Sequence, residues 1–426
     1  MRKWLIPLIA LFALLTAFLP KIASTPPFNP LFVRILESRS PLHMHVDHLD
    51  LSWLGPQKFH QIQWTHDNAT GSIEEFSIDA PFWSFRGPFQ LKNGSLSYQN
   101  ANVEKIEGQL IDNDFELTGV AQQGTLSLKG KIYSQFHFHI GVDIQNFPLL
   151  AIDPRLDQIF GPTLTLNGAL QMESGKGRID LNIASPNITT QLHGYLTEQA
   201  ITLREPLAAS IRLTPEICAL FLKDANPLFL ASLEASKPLS LRIAQDGLHF
   251  PLPFSLEHFL LNGTLDLGQT RGQTGKALTT IIKFVKEEPT PHTNLWFAPF
   301  AFRLHDGILE AGRMDALVAD SIHICTWGHI DLMRDQIHMF LGIPAKTLRK
   351  FFGIRNLPEH YVLKIPIQGS TGHPEVVKGQ AVARVAALVA GSQVSKRGYL
   401  GSLNDLFHPA EEEDIPHAQH PFPWEE

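Results

Sequence analysis

The stretch QFHFHIGVDIQ, residues 135–145, alternates between apolar and polar side chains. Residues two apart lie on the same face of a β-strand. One face would carry the apolar side chains Phe136, Phe138, Ile140, Val142 and Ile144, and the other the polar side chains Gln135, His137, His139, Asp143 and Gln145. The stretch therefore predicts a strand with one buried and one solvated face, as is typical of antiparallel sheets.

The same period of two recurs from about residue 42 onward. It is clear in LHMHVDH (42–48), TLSLKGKI (125–132), RIDLNI (178–183) and LSLRIA (239–244). The apolar positions of the last three are Leu126, Leu128, Ile132, Ile179, Leu181, Ile183, Leu239, Leu241 and Ile243. We therefore predict a mainly β protein built from antiparallel strands, with few short helices.

Four copies of the pattern [ND]-G-x-L suggest where strands turn. Asn-Gly and Asp-Gly favour type I′ turns, in which both central residues need a positive φ. Asn93-Gly94, Asn262-Gly263 and Asp306-Gly307 each place apolar residues opposite one another and predict hairpins. A turn at Asn167-Gly168 would instead place Thr165 opposite Leu170, so we predict a β-bulge there.

Helical patterns are few. Thr214 and Pro215 begin a predicted helix over 215–225, because Thr is a favoured N-cap and Pro suits the first turn. Residues 276–288 carry Leu278, Ile281, Ile282 and Val285 at helical spacing, and 375–391 forms a third predicted helix. The last 17 residues, from Ala410, are acidic and proline-rich, which predicts disorder.

The N-terminus indicates a membrane anchor. Arg2 and Lys3 precede an apolar run from Trp4 to Leu19, and Lys21 follows it. No small-residue cleavage site follows, so an uncleaved anchor is favoured over a removed signal peptide. The positive charges would keep the N-terminus in the cytoplasm and place the remaining chain outside.

Composition narrows the possible partners and chemistry. The chain of 426 residues has a formal net charge of −7 and no long basic stretch, which argues against nucleic acid. Its two cysteines, Cys218 and Cys325, are too few for a disulfide scaffold, and we expect two independently buried thiols rather than a pair. No cofactor motif is complete: in LGQTRGQTGKALTTII, Thr270 and Ala277 replace the first glycine and the hydroxyl of a P-loop.

The histidines allow two interpretations. His137 and His139 could present two imidazoles to a metal ion, with His43 and His45 as a second pair. However, both pairs lie opposite the apolar face of their strand, and 20 histidines are scattered along the chain. We favour a solvated sheet face and no metal site.

Three segments resemble the AsmA-like family of bacterial envelope proteins, relatives of TamB. Residues 46–64 (VDHLDLSWLGPQKFHQIQW) resemble the family's first strand pair. Residues 304–345, with an Asp-Gly hairpin before a W-G-x-I-D-L strand, resemble its C-terminal part, and VLKIPIQGSTGHPEV (362–376) resembles its closing strand. Between about 65 and 300 the resemblance is one of style only.

The resemblance implies an elongated, curled antiparallel sheet that forms an open apolar groove and handles lipid between membranes. This agrees with the one-sided strands, since an exposed apolar face must curl or be covered. The expected layout is a signal anchor (1–22), a juxtamembrane helix (23–41), a periplasmic β-groove (42–373, with the AsmA-like C-terminal part at about 290–373), an amphipathic helix (374–397) and an acidic proline-rich tail (398–426).

We therefore expect a non-enzymatic, inner-membrane-anchored periplasmic protein that binds or conducts a phospholipid or other envelope lipid, with other envelope proteins as further candidate partners. The alternative is a structural or adaptor protein with closed β-sandwich cores, and a secreted enzyme comes third. The candidate groove residues are Leu126, Leu128, Phe136, Phe138, Ile140, Ile179, Leu181, Ile183, Leu239 and Leu241. The sequence names neither the lipid nor the direction of transport.

Overall fold

The computed structural model describes the greater part of the chain between residues 43 and 377, together with shorter stretches on either side. The described residues are 19–21, 23–25, 33–34, 43–66, 69–81, 87–98, 101–134, 137–149, 154–218, 233–235, 237–274, 276–285, 287–354, 357–371, 373–377, 379, 383, 385–386, 388–389 and 415–425. They form a mainly β structure of antiparallel strands with few short helices.

The chain divides into two compact units, Met1–Pro186 and Asn187–Glu426, and the boundary falls within the region that the sequence predicts as a single groove. The elements of the first unit are β1 (His43–Asp50), β2 (Gln57–His66), β3 (Ala69–Ile78), β4 (Phe89–Tyr98), β5 (Ala101–Ile111), β6 (Asp114–Ala121), β7 (Gly124–Ser134), β8 (His137–Pro148), α1 (Pro154–Phe160), β9 (Thr163–Glu173) and β10 (Lys176–Ala184).

Within its described residues, the second unit holds fourteen strands and three helices with defined bounds, and residues 379, 383, 385–386 and 388–389 are also helical. Its elements are β11 (Ile188–Thr197), β12 (Ala200–Leu203), β13 (Leu207–Ile211), α2 (Pro215–Ile217), β14 (Leu233–Ala235), β15 (Leu239–Pro251), β16 (Leu260–Asp266), β17 (Gln269–Gln273), α3 (Lys276–Phe284), β18 (His292–Phe297), β19 (Phe300–His305), β20 (Ile308–Val318), β21 (Ile322–Asp331), β22 (Gln336–Pro344), α4 (Ala345–Phe352), β23 (Val362–Ser370) and β24 (His373–Val376).

The first unit is a meander. Each strand from β1 to β9 pairs antiparallel with the next strand along the chain. Tight turns such as Asp112-Asn113 and Ser174-Gly175, whose residues have positive φ, join several of these pairs. The unit is therefore held together by contacts between neighbours in sequence.

The sheet of the second unit forks at β20. The first half of β20 pairs with β19 and its second half with β18, and β17 and β14 continue the branch that begins at β18. On its other edge β20 is followed in order by β21, β22, β23 and β24. A bulge between Ala311 and Met314 lies where the two branches of the fork meet β20.

A closed apolar core fills one face of the second unit. Its members come from the strands, from α3 and α4, and from the helical residues near 385–389. Several are fully buried: Phe297, Met314, Val318, Ile324 and Leu348 are all 0% exposed. Interior packing of this density makes each of these positions sensitive to a change of volume.

The strand predictions are confirmed for the described residues. The described parts of the alternating stretches, 43–48, 125–132, 178–183 and 239–244, lie in β1, β7, β10 and β15, and 137–145 lies in β8. Cys218 and Cys325 are both buried and form no disulfide with each other, as expected. The strands around the glycine-rich stretch before α3 pair antiparallel, unlike the parallel surroundings of a P-loop.

Only one of the three predicted Asn/Asp-Gly hairpins is correct. Asp306-Gly307 joins β19 to β20, with Leu304 opposite Leu309. Asn93-Gly94 instead lies within β4, where the register to β5 shifts on both sides of Gly94. Asn262-Gly263 lies within β16, where Gly263 pairs with both β15 and β19 and Asn262 pairs with Arg303 of β19. Glycine inside a strand is typical of a bulge or of a close approach of two backbones. That explanation, and not a turn, applies to Gly94 and Gly263.

The bulge predicted at Asn167-Gly168 is also misplaced. Both residues pair in regular register with β10, and the irregularity near them lies on β8, between Ile144 and Phe147. Gly168 serves a steric purpose instead, because a Cβ atom there would clash with the carbonyl oxygen of Asp180.

The helix predictions are correct in part. Thr214 accepts a hydrogen bond from the Ile217 N–H at the start of α2, and the four apolar residues predicted for 276–288 are buried in the core. The third helix does not begin at 375, because His373–Val376 forms β24 against β23. The sequence interpretation missed α1 and α4. The juxtamembrane helix is described only at a few residues, of which Val33 is buried against β1 and β2.

The two chain ends have different outcomes. The prediction of disorder from Ala410 is wrong for 415–425, which packs on the second unit; Phe422 is 3% exposed. The anchor predicted at the N-terminus lies almost entirely outside the described residues. Among the residues that are described, none belongs to a helix long and apolar enough to cross a membrane.

Candidate functional site

The cross-strand register of the first unit aligns apolar side chains on one face of the sheet. Directly opposed residues of antiparallel strands point to the same face, so a row can be followed from strand to strand. One row begins at Leu49 of β1 and continues through Phe59, Phe76, Leu91, Gly108, Leu117, Leu128, Val142 and Gly168 to Leu181 of β10. We call the face that carries it the apolar ladder.

Adjacent rows widen this ladder at β6–β10. One consists of Phe115, Gly130, Ile140, Leu170 and Ile179, and another of Gly119, Leu126, Ile144, Leu166 and Ile183. Seven of the ten candidate groove residues, and the paired residues around them, therefore share one face: Leu126, Leu128, Phe138, Ile140, Ile179, Leu181 and Ile183. Phe136 lies outside the described residues.

Burial along the ladder is uneven. At the β1 end, Leu49 is 0% and Phe59 5% exposed, in a small core with Val33 and Val46. From β6 to β10 most of the ladder is only half-buried, including Leu128, Phe138 and Leu181, while Ile179 is 6% exposed. The first unit therefore presents water-accessible apolar surface on several consecutive strands, which is the usual mark of a binding surface.

The two remaining candidates, Leu239 and Leu241, belong elsewhere. Leu239 of β15 is 3% exposed within the closed core of the second unit, and Leu241 packs against that core. Their alternation is the same as that of β7 or β10, because a period of two reports only that one face is apolar. It does not report whether another layer covers that face, and here the expectation of an open lining is corrected.

The opposite face of the first unit is polar and carries cross-strand ion pairs. Lys129 Nζ lies 2.7 Å from Glu116 Oε1, and Lys92 Nζ lies 2.9 Å from Glu75 Oε1. The hydrogen bond from each lysine is the largest cause that lowers the pKa of its glutamate. Both carboxylates therefore stay charged at neutral pH and keep this face wet.

His137 and His139 lie on this polar face, and both are exposed. They line a shallow cavity with Asp114, Lys131 and Glu173, among other residues. Across the described part of the chain, no three His, Cys, Asp or Glu side chains come close enough together to hold a metal ion. The absence of a metal site remains a prediction.

The second unit contains a buried polar cluster that the sequence interpretation missed. Arg313 forms two 2.9 Å hydrogen bonds to the Asp315 carboxylate, and His323 Nε2 lies 2.8 Å from Asp315 Oδ1. Asp315 is 2% exposed. These three residues alternate with the core residues of β20 and β21, which places them on the outer face of the sheet. The sequence does carry a signal for this cluster. Arg313 and Asp315 are charged residues on a strand whose neighbour, IHICTW (322–327), has apolar residues on both faces.

Cys325 lies beside this cluster, but it is not a nucleophile. Burial raises the pKa of its thiol far above the ordinary value, and the nearby Arg313 only partly opposes this. A protonated, fully buried thiol is inert. The guanidinium of Arg313 stays charged: burial acts to lower its pKa, but the hydrogen bonds and the negative charge of Asp315 act to raise it.

Comparison with known proteins adds no assignment: no protein-family model matches the chain, and neither does any curated protein.

Proposed function

We propose that this protein is an inner-membrane-anchored periplasmic protein that binds or conducts lipid along the apolar ladder of its first unit, without enzymatic activity. The single observation that carries the proposal is the half-exposed ladder at β6–β10. A surface of Leu, Ile and Phe side chains on consecutive strands suits acyl chains, as the interiors of other ligand-binding β-folds do. Curling of the sheet around the ladder would give the groove that the AsmA-like resemblance implies.

The polar face supports the same proposal. Its ion pairs and exposed histidines keep one side of each strand in water, so the sheet can remain folded while the other side contacts lipid. The closed core of the second unit favours the adaptor alternative for that unit. The proposed lipid surface is therefore confined to the first unit, and the lipid is left as a phospholipid or another envelope lipid.

Photo-crosslinking in cells tests the ladder directly. A crosslinking side chain at Leu181 should capture lipid, whereas one at Asn182, the next residue and on the polar face, should not. Leu181→Asp should abolish lipid capture by a crosslinker at Leu128, with Asn182→Asp as the matched control that leaves it unchanged. Equal capture at positions 181 and 182, or none at either, would contradict the proposal.

The anchor needs a separate experiment, because the lipid surface could exist without it. The full chain should fractionate with the inner membrane and keep its N-terminus. A mature protein whose N-terminal sequence begins after residue 19 would remove the anchor from the proposal and leave the ladder untouched.

A further inference from the structure

The segment 415–425 covers the outer face of the second unit's sheet. Phe422 lies over His323, with ring centroids 4.8 Å apart, and Trp424 stacks on Phe422 at 4.9 Å. Trp424 also meets Trp296 of β18 edge-on, at 6.4 Å. The two aromatic rings therefore cap the buried cluster of Arg313, Asp315 and His323.

Polar contacts fix the direction of the segment. Arg313 Nη1 donates to the carbonyl oxygen of Pro416 at 3.2 Å, and Lys346 Nζ lies 3.2 Å from Glu425 Oε1. Burial acts to raise the pKa of Glu425, but the hydrogen bonds from Lys346 and from the Phe422 N–H lower it by more. Ile415 packs at the other end, against the cluster of Cys325, Trp327 and Val362.

The segment is bound to the unit mainly through a few side chains, in the way that a peptide ligand is bound. Residues 415–425 form no strand, and a cavity of about 770 Å³ lies between them and the body of the unit, lined by Arg349, His360, Lys364 and other residues. An integral core element would be close-packed instead. Two aromatic anchors, an arginine and a charge pair at the rim are the usual parts of a peptide-recognition site.

We propose that the outer face of β18 and β20–β23 is a peptide-recognition site, occupied in cis by residues 415–425 and open in trans to an extended peptide of the same chemistry. Such a peptide carries aromatic residues flanked by proline, followed by a carboxylate. Because the segment is part of the same chain, it competes with any peptide in trans at a high effective concentration. The cis segment therefore excludes weak competitors. This inference does not depend on the proposed lipid function.

A binding experiment on the full chain tests the proposal, with a fluorescent peptide of residues 415–425 as the probe. The wild-type chain should bind it weakly. The Phe422→Ala/Trp424→Ala chain, whose own segment is weakened, should bind it on the order of 10- to 100-fold more tightly, because cis competition is removed. The Gln419→Ala chain, changed at an exposed position of the same segment, should behave as wild type, and a scrambled peptide should bind neither chain.

A charge exchange shows whether the peptide takes the same site. In the Phe422→Ala/Trp424→Ala chain, adding Lys346→Glu should weaken peptide binding about 2- to 5-fold, as expected for a surface ion pair, and a peptide with Glu425→Lys should recover the loss. A double variant that is folded by circular dichroism yet binds no peptide would overturn the proposal. Binding that is insensitive to the charge exchange would do the same.

Hydrogen exchange on the wild-type chain covers the case in which the double variant does not fold. Amides of 419–425 should exchange at least 100-fold faster than those of β21, because the segment opens while the sheet remains closed. If both exchange together, the segment is part of the cooperative core and is not an exchangeable ligand.

Discussion

Leu181 of the first unit and Met339 of the second are both apolar residues in the middle of antiparallel strands. Leu181 pairs with Gly168 of β9, and Met339 pairs with Gly328 of β21 and Ile367 of β23. Met339 is 1% exposed within the closed core of the second unit, whereas Leu181 is half-buried. The comparison shows that alternation determines which side of the sheet a residue occupies. Whether another layer covers that side determines how much a substitution there lowers the free energy of unfolding. The two units can therefore be distinguished by how they respond to the same substitution.

The largest effect should come from a charge placed on each apolar face. Met339→Asp buries a carboxylate with no partner, and we expect it to destabilise the second unit by more than about 4 kcal/mol. Leu181→Asp can keep its charge hydrated, and about 1 kcal/mol is expected. Thermal unfolding followed by circular dichroism, with limited proteolysis to identify the unit affected, measures both. Equal losses in the two variants would mean that the ladder is sealed.

A smaller effect is expected when the side-chain volume is increased and no charge is added. Gly168→Ala in the first unit places a Cβ atom against the Asp180 carbonyl oxygen, so strands β9 and β10 must separate. We expect a loss of about 2–3 kcal/mol. Gly268→Ala in the second unit meets nothing within 4 Å and bears only the strain of its positive φ of 57°, at about 1 kcal/mol. Urea unfolding compares the two, and a milder effect at Gly168 would contradict the close approach of these strands.

The ion pairs of the polar face should give a pH-dependent effect of a few tenths of a kcal/mol. The folded-state pKa of Glu75 lies below its ordinary value of 4.5, first because Lys92 donates a hydrogen bond to it. A lowered folded pKa stabilises the unit above the ordinary value, and this contribution is lost as the pH falls through the folded pKa. Glu75→Gln should therefore lower stability at pH 7 and leave it unchanged near pH 2. A deficit that persists at low pH would assign the loss to packing instead.

The smallest effect is expected at the exposed histidines. Replacing His137 and His139 together with glutamine should change stability by no more than about 0.5 kcal/mol, as at ordinary surface positions, and leave the metal content of the purified protein unchanged. Elemental analysis of the wild type and the double variant measures this. Stoichiometric zinc that disappears in the variant would identify a metal site on the polar face.

Strand positions could be predicted from the sequence because the period of two is a local signal, and β7, β8, β10 and β15 carry it plainly. The Asn-Gly pairs could not be assigned correctly from the sequence, because the same two residues occur in turns and within strands. At Gly94 and Gly263 glycine is present because paired strands approach closely. Helix α4 begins directly after Pro344 and ends before Gly353, whose backbone is in the left-handed conformation. A proline before a helix and a glycine after it are both sequence signals, and the sequence interpretation overlooked them.

For the candidate site, the sequence predicted which residues of each strand lie together on the apolar face. The register of each strand with its neighbours preserves that alternation, so these residues share one face of the sheet. The failures at Leu239 and at 415–425 share one cause. Composition and periodicity describe a segment by itself, whereas burial depends on what packs against it from a distant part of the chain. No local feature of HPFPWE shows that His323 and Trp296 receive its aromatic rings.

The meander of the first unit has a consequence for the order in which the chain acquires structure. Every strand pair from β1 to β10 joins neighbours in sequence, so only short loops must close, and pairing can follow synthesis one strand at a time. The second unit cannot proceed in this way, because its fork joins strands in non-sequential order and Arg313 receives its partner from Pro416, 103 residues later. We therefore expect the first unit to reach its native pairings while the second is still incomplete. The bond between Arg313 and the 415–425 segment would then be among the last contacts to form.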